Sequence, residues 1–147
     1  GPWRRGGGGG ARAEEVGRSC MMVEEFLEGV GDRLPLKSKP AKVLLHGHCH
    51  QKAMGLMPPV KALLSRIPGA EVVDLDAGCC GMAGSFGYMH GHFEVSRAIG
   101  ERKLFPAVRA KAAGAVVVAA GTSCRHQVME LTGVEAVHPA VFLRSLL

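Results

Sequence analysis

The chain has 147 residues, of which 47% are hydrophobic and 21% are charged, and its formal net charge is +5. This length and composition predict one globular domain with one hydrophobic core. No apolar run approaches the roughly 20 residues of a membrane-spanning helix, so no membrane span is expected. The basic residues are spread along the chain, and one Trp and one Tyr offer little stacking surface, so nucleic-acid binding is not expected either.

The chain begins with Gly rather than Met, and its opening segment, GPWRRGGGGG, has a glycine run but no apolar core of a signal peptide. We therefore predict that residues 1–10 are a flexible Gly-rich linker or scar and that the folded domain covers residues 11–147. The chain is interpreted as a fragment of a longer protein. We expect a cytoplasmic location, with peripheral attachment at the inner face of the membrane as an alternative.

Helices and strands alternate in the first half of the domain. Apolar residues at spacings of three and four predict an amphipathic helix that contains Cys20 and ends near Gly29 or Gly31. A strand is predicted at about residues 42–46, followed by a helix in PPVKALLSRIPG. A second strand is predicted at about residues 71–75.

The second half continues this alternation. Residues 81–113 have a helical period that Pro106 breaks or restarts. The apolar run at residues 115–120 predicts a strand buried on both faces, and SCRHQVMEL predicts the next helix. A short strand in VEAVHP precedes a final helix that begins at Pro139. The pattern predicts an α/β fold, a small Rossmann-like domain whose four-stranded parallel sheet is flanked by helices.

Four of the five cysteines directly follow predicted strands. Cys49 follows the first strand, Cys79 and Cys80 follow the second, and Cys124 follows the third. Because the carboxyl ends of parallel strands share one edge, we expect these four thiols to form one site. Cys20 lies outside this pattern, and we predict that it packs against the sheet or the C-terminal helix.

The adjacent cysteines Cys79 and Cys80 admit three explanations. A disulfide between neighbours would strain the peptide that joins them, and independent burial does not explain why four cysteines follow strands. Thiolates are soft ligands, so joint metal binding accounts for the pattern through an iron–sulfur cluster or tetrahedral zinc. The sequence has no CxxC pair of the usual zinc type, which favours a cluster and leaves zinc as the alternative.

Residues of other types surround the cysteines. Gly78 and Gly81 flank the adjacent pair, where they would let the backbone approach a cofactor and donate N–H bonds to it. His50 is our first choice among the nearby histidines for a contact to the site. Arg125 and Lys52 would stabilise the negative charge of a thiolate-bound cluster.

Four motifs, in this order, carry a resemblance to a known family: HGHCHQKA, DAGCCGMAGSFGY, IGERKLFPAVR and GTSCRHQ. They resemble the cysteine-rich CCG domain at the C-terminus of FAD-linked oxidases of the D-lactate, glycolate and D-2-hydroxyglutarate dehydrogenase type. The same domain occurs in glycolate oxidase iron–sulfur subunits, in anaerobic glycerol-3-phosphate dehydrogenase small subunits and in heterodisulfide reductases. The family pattern is a lone cysteine, then CCG, then CxxC, and Gly121 replaces the first cysteine of that last pair.

The resemblance implies a part of a larger oxidoreductase. Cys49, Cys79, Cys80 and Cys124 would bind an iron–sulfur cluster, which would pass electrons from reduced FAD to a quinone or a carrier protein. The FAD would belong to a missing FAD-binding domain or subunit, so this chain alone would be catalytically incomplete. Two alternatives stay open: a zinc-stabilised structural or assembly module, and a vicinal-thiol redox site of the heterodisulfide-reductase type.

Overall fold

A four-stranded parallel sheet forms the centre of the molecule. The structure is a computed structural model that describes residues 9–147. The strands are β1 (Lys42–His46), β2 (Glu71–Asp74), β3 (Val116–Ala119) and β4 (Ala136–Val137). Their order in the sheet is β2-β1-β3-β4, and all three pairings are parallel. The predicted α/β fold is therefore confirmed.

Eight α-helices flank the sheet in the described part of the chain. They are α1 (Gly9–Ser19), α2 (Val23–Gly29), α3 (Cys49–Ala53), α4 (Met57–Ser65), α5 (Phe93–Glu101), α6 (Leu104–Arg109), α7 (Thr122–Thr132) and α8 (Pro139–Arg144). The short helix α3, which directly follows β1, was not predicted. Within residues 9–147, no helix has both the length and the apolar character needed to cross a membrane.

Helices cover both faces of the sheet, because side chains along each strand alternate between two apolar cores. Val43 and Leu45 of β1 pack on one face with residues of α4 and α8, including Leu64. Leu44 packs on the other face with residues of α6 and α7, including Phe105. The sheet is therefore buried on both sides, and its carboxyl edge is the place where loops from several strands meet.

The N-terminal part differs from its prediction. The single predicted helix is broken into α1 and α2, and the backbone N–H of Met22 donates to the Glu25 carboxylate (2.7 Å), which begins a new helix. Cys20 lies in the break and is exposed, so the prediction that it packs against the sheet or α8 is wrong. Of the predicted linker, residues 1–8 lie outside the described residues, and Gly9 and Gly10 begin α1.

The segment after β2 contains less helix than the spacing of its apolar residues predicts. Residues 81–92 form turns and one 3-10 turn (Phe86–Tyr88), and α5 begins only at Phe93. Glycines with positive φ interrupt this segment, with values of 98° at Gly81 and 78° at Gly91. Pro106 lies in the first turn of α6, where proline is tolerated, so the helical period restarts there.

Candidate metal centre

The candidate site lies at the carboxyl edge of the sheet, where β1, β2 and β3 end. β1 ends at His46, the loop after β2 leads to Cys79 and Cys80, and β3 leads to Cys124 in the first turn of α7. Because the three strands are parallel, these residues leave the sheet on the same edge.

Three buried side chains from this edge form a group that can hold a metal. One ring nitrogen of His46 and the sulfurs of Cys80 and Cys124 all lie within 4.8 Å of one another. The three residues are 1%, 3% and 1% exposed, respectively. Imidazole nitrogen and thiolate sulfur are ligands of both zinc and iron, so the donor set fits a metal ion or cluster.

His46 is the residue that sequence reasoning missed. Among the described residues, neither of its buried ring nitrogens has a hydrogen-bond partner. Leaving a buried polar group without a partner costs about 1–3 kcal/mol, and a bound metal would supply the missing partner. A signal for it is present in the sequence: His46 lies two residues after Leu44, so strand alternation places both on the face that contains Cys80 and Cys124.

Cys49 and Cys79 lie around this three-residue group rather than in it. Cys49 is the first residue of α3 and is exposed, Cys79 is half-buried, and all the cysteines are free thiols. The pKa of Cys124 is raised by its hydrogen bond to Cys80 and by burial, and the charges of Cys80, Cys49 and Cys79 raise it further. The four predicted cysteines are thus electrostatic neighbours, with Cys80 and Cys124 at the centre.

The two buried thiols shift each other's pKa in opposite directions. A hydrogen bond from Cys124 lowers the pKa of Cys80 although burial acts in the opposite direction, and the same bond raises the pKa of Cys124. The proximity of His46 also favours the Cys80 thiolate. Metal binding requires deprotonated thiols, so the lowered pKa of Cys80 favours its role as a ligand, and Cys124 would release its proton on binding.

The loop that carries the adjacent cysteines is held by α5 and α7. A Cβ atom on Gly81 would collide with the carbonyl oxygen of Ser96, so only glycine fits there. The N–H of Gly81 donates to the sulfur of Cys79 (3.2 Å). Buried Gln127 donates to the Ser96 hydroxyl (2.7 Å) and to the carbonyl of Cys80 (3.4 Å), which ties the loop to both helices.

The other residues that the sequence singled out lie near this edge and contact backbone groups. His50 is exposed, and its backbone N–H donates to Nδ1 of His48 (3.3 Å). The Arg125 guanidinium donates to the carbonyls of Ala119 (3.0 Å) and Ala120 (2.6 Å), which holds the turn between β3 and α7. A contact of His50 or Arg125 with a cofactor stays a prediction.

Gly78 and Lys52 contact each other across the edge of the sheet. The Lys52 ammonium group donates to the carbonyl of Gly78 (3.3 Å), and Gly78 itself has a φ of 69°. This contact joins α3 to the loop that carries Cys79 and Cys80. The same ammonium group lies 4.0 Å from the Asp76 carboxylate, which partly pairs its charge.

Gly121 lies at the position where the family pattern has a cysteine. A Cβ atom there would lie 2.8 Å from the sulfur of Cys124 and still closer to Cδ2 of His48. The imidazole of His48 therefore fills the space beside Cys124 that a side chain at position 121 would need.

These features define the class of the protein, an α/β domain with a group of thiol and imidazole side chains that can hold a metal at the carboxyl edge of its sheet. Residues 43–129, more than half of the chain, match the CCG family of cysteine-rich domains. The chain belongs to this family.

Curated relatives of the chain are dehydrogenases or parts of them. The chain is 38% identical over 117 residues to one of the subunits of anaerobic glycerol-3-phosphate dehydrogenase from Escherichia coli (strain K12). The aligned region covers 80% of the chain and 29% of that subunit. It is 28% identical over 140 residues to D-2-hydroxyglutarate dehydrogenase of Escherichia coli (strain K12), which covers 93% of the chain and 14% of the relative. The corresponding enzyme of Pantoea ananatis is 32% identical over 132 residues, covering 88% of the chain and 13% of the relative.

The chain therefore spans less than a third of the length of these relatives. No solved structure gives a significant match.

Proposed function

We propose that this chain is the iron–sulfur-binding, electron-transfer domain of an FAD-linked D-2-hydroxyacid dehydrogenase or oxidase. The observation that carries the proposal is the buried group of His46, Cys80 and Cys124, in which an imidazole without a hydrogen-bond partner lies within 4.8 Å of two thiol sulfurs. Dehydrogenases among the relatives supply the context of electron transfer. In this proposal the domain passes electrons from reduced flavin to a quinone or a carrier protein.

Each part of the site has a role in this proposal. His46, Cys80 and Cys124 would hold the metal from the buried side, and Cys49 and Cys79 would supply further thiolates from the exposed side. A bound iron–sulfur cluster supplies one-electron chemistry. The protein would tune the potential of the cluster, because the N–H of Gly81 donates towards the sulfur of Cys79 and such a bond favours the reduced, more negative form.

The rest of the enzyme is proposed to lie in other parts of a longer protein or in another subunit. An FAD-binding domain or subunit is the expected partner, because the chain spans only 14% of D-2-hydroxyglutarate dehydrogenase of Escherichia coli. The chain alone is then expected to bind a metal without oxidising a hydroxy acid. We place the enzyme in the cytoplasm, with peripheral attachment at the inner face of the membrane as the alternative.

A zinc-stabilised module is the second candidate, because a group of two cysteines and one histidine also suits tetrahedral zinc. A redox reaction of the adjacent thiols themselves has less support. Burial raises the pKa of Cys79, so only Cys80 of the adjacent pair favours the thiolate, and a disulfide between neighbouring residues would strain the peptide that joins them.

Anaerobic reconstitution with iron and sulfide tests the proposal. We expect a brown protein whose broad visible absorption bleaches when dithionite is added, and we expect Cys80→Ser to stay colourless. Zinc bound at one ion per chain that withstands iron and sulfide, with no visible absorption, would contradict the electron-transfer role and favour the structural module.

A further inference from the structure

A cavity of about 310 Å³ opens at the same edge of the sheet as the candidate metal centre. This volume lies at the lower end of the range of about 300–1,000 Å³ that is typical of small-molecule sites. Part of its wall is apolar and consists of Met22, Leu56 and Ala120. The rest is polar and includes His48, Gln51 and His138.

Gly121 and His48 lie between the cavity and Cys124. Gly121 lines the cavity, and a Cβ atom on this residue would lie 2.8 Å from the sulfur of Cys124. His48 also lines the cavity, and its ring lies against the same point. A molecule bound in the cavity would therefore sit beside a ligand of the proposed metal centre.

Two histidines offer N–H donors to this cavity. Nδ1 of His48 accepts the backbone N–H of His50 (3.3 Å), and Nδ1 of His138 accepts the backbone N–H of Ala140 (3.1 Å). In a neutral imidazole whose Nδ1 accepts a hydrogen bond, the proton is on Nε2, which is then a donor. Burial also lowers the pKa of His138, which favours its neutral form.

Gln51 adds a third donor that has no partner in the described part of the chain. Its side chain is 4% exposed and lines the cavity, and its Oε1 accepts the backbone N–H of His48 (3.3 Å). Its buried Nε2 has no hydrogen-bond partner. A buried donor of this kind costs free energy unless an acceptor is supplied, and a ligand oxygen would supply it.

The charge of the surroundings favours a neutral ligand. Among residues 9–147, those that line the cavity include no lysine, arginine, aspartate or glutamate. Behind this lining, the charge of buried Glu24 raises the pKa of His138 more than the charge of Arg125 lowers it, so the nearby charge does not favour an anion. A carboxylate would lose its hydration without gaining a paired cation, whereas a neutral carbonyl compound needs only the donors that are present.

We propose that this cavity binds a quinone ring, which packs on Met22, Leu56 and Ala120 while its carbonyl oxygens accept hydrogen bonds from His48, Gln51 and His138. The inference rests on the proposed function, because a domain that carries electrons needs an acceptor that approaches its metal centre. It narrows the acceptor from a quinone or carrier protein to a quinone.

Binding of tetramethyl-1,4-benzoquinone, measured by isothermal titration calorimetry on the whole chain after anaerobic reconstitution, tests the inference. This quinone has no ring position open to addition of a thiol. The variants are His48→Asn and His138→Asn, because an asparagine oxygen replaces Nδ1 as the helix-capping acceptor while the Nε2 donor is lost. The matched control is His90→Asn, which changes an exposed histidine outside the cavity.

We expect the two cavity variants to weaken quinone binding about fivefold each, as the loss of one hydrogen bond implies, and the control to bind like the unchanged chain. Equal affinities in all four proteins, no binding at all, or tighter binding of acetate than of the quinone would overturn the inference. The visible spectrum of each sample reports the metal centre separately, and the titration is made whichever metal is bound. Failure of the proposed function and failure of the quinone site are therefore distinguishable.

Discussion

His46 differs from the histidines that flank Cys49 in both burial and partners. Its ring is enclosed at the end of β1 within reach of two sulfurs, whereas His50 is exposed on α3. The sequence pattern favours His50 because that residue is adjacent to a cysteine. Distance along the chain is a weaker guide than strand alternation, which places His46 and Leu44 on the same face.

Alanine variants of His46 and His50 test which of the two histidines binds the metal. We expect His46→Ala to lose most of the bound metal after reconstitution, because a buried ligand is removed, and His50→Ala to keep it. Metal content measured by mass spectrometry checks this, and circular dichroism of both variants checks that they fold. If His46→Ala keeps as much metal as His50→Ala, His46 is not a ligand.

Cys20 gives a second comparison at this scale. Cys20 is exposed between α1 and α2, so Cys20→Ser should leave the metal content unchanged, whereas Cys80→Ser should abolish it. The same metal analysis measures both variants. A parallel loss of metal in Cys20→Ser would mean that the exposed thiol takes part in binding.

At the scale of helices and strands, strand ends are easier to predict than helix boundaries. Apolar runs fix β1 and β3 to within one residue, because a strand buried on both faces has few polar positions. The segment from Gly81 to His92 has apolar residues at helical spacing, but glycines with positive φ interrupt it and it is not a helix. The spacing of apolar residues does not reveal these backbone conformations. The break at Cys20 escapes prediction for a similar reason, since an N-terminal cap by Glu25 leaves the apolar spacing intact.

Glycine substitutions test how the loop of Cys79 and Cys80 is held. Gly81 and Gly55 both have positive φ, but of these two only Gly81 has a neighbour, the carbonyl of Ser96, with which a Cβ atom would collide. We expect Gly55→Ala to lower the free energy of unfolding by roughly 1 kcal/mol and Gly81→Ala by roughly 3 kcal/mol or more. Urea unfolding measures both. Similar losses would show that the backbone near Ser96 shifts freely to accept the methyl group.

The ion pair between α5 and α6 predicts a dependence on pH. Arg109 donates two hydrogen bonds to the Glu101 carboxylate (2.8 Å each), and these bonds lower the pKa of Glu101. A lowered folded-state pKa stabilises the protein above the unfolded-state value, about 4.3, and this contribution is lost as the pH falls through the folded-state pKa. Glu101→Gln should therefore lower the melting temperature slightly at neutral pH and have no effect in strong acid. A difference that persists in acid would contradict this origin.

Over the described residues, most of the apolar packing lies away from the candidate metal centre. The two apolar cores on either side of the sheet account for the packing of α4, α6, α7 and α8, and only one end of one core contains Cys80 and Cys124. The fold could be predicted from the alternation of apolar segments alone. The composition of the site could be predicted only in part, since the contribution of His46 depends on which face β1 presents to α7.

Removal of the metal should therefore destabilise the chain without unfolding it. A metal that binds only the folded state stabilises it by mass action, so we expect a chelated sample to keep its far-ultraviolet circular dichroism and to melt about 10 °C lower than the loaded one. Loss of the helical signal at room temperature after chelation would instead show that the metal holds the fold together.

The most direct test of the account is the X-ray absorption fine structure at the iron edge of the anaerobically reconstituted chain. We expect each iron to have sulfur neighbours and a second iron at short range, together with imidazole scattering from the ring of His46. Iron surrounded by nitrogen and oxygen alone, or a spectrum with no iron–iron scattering, would contradict an iron–sulfur centre at the edge of this sheet.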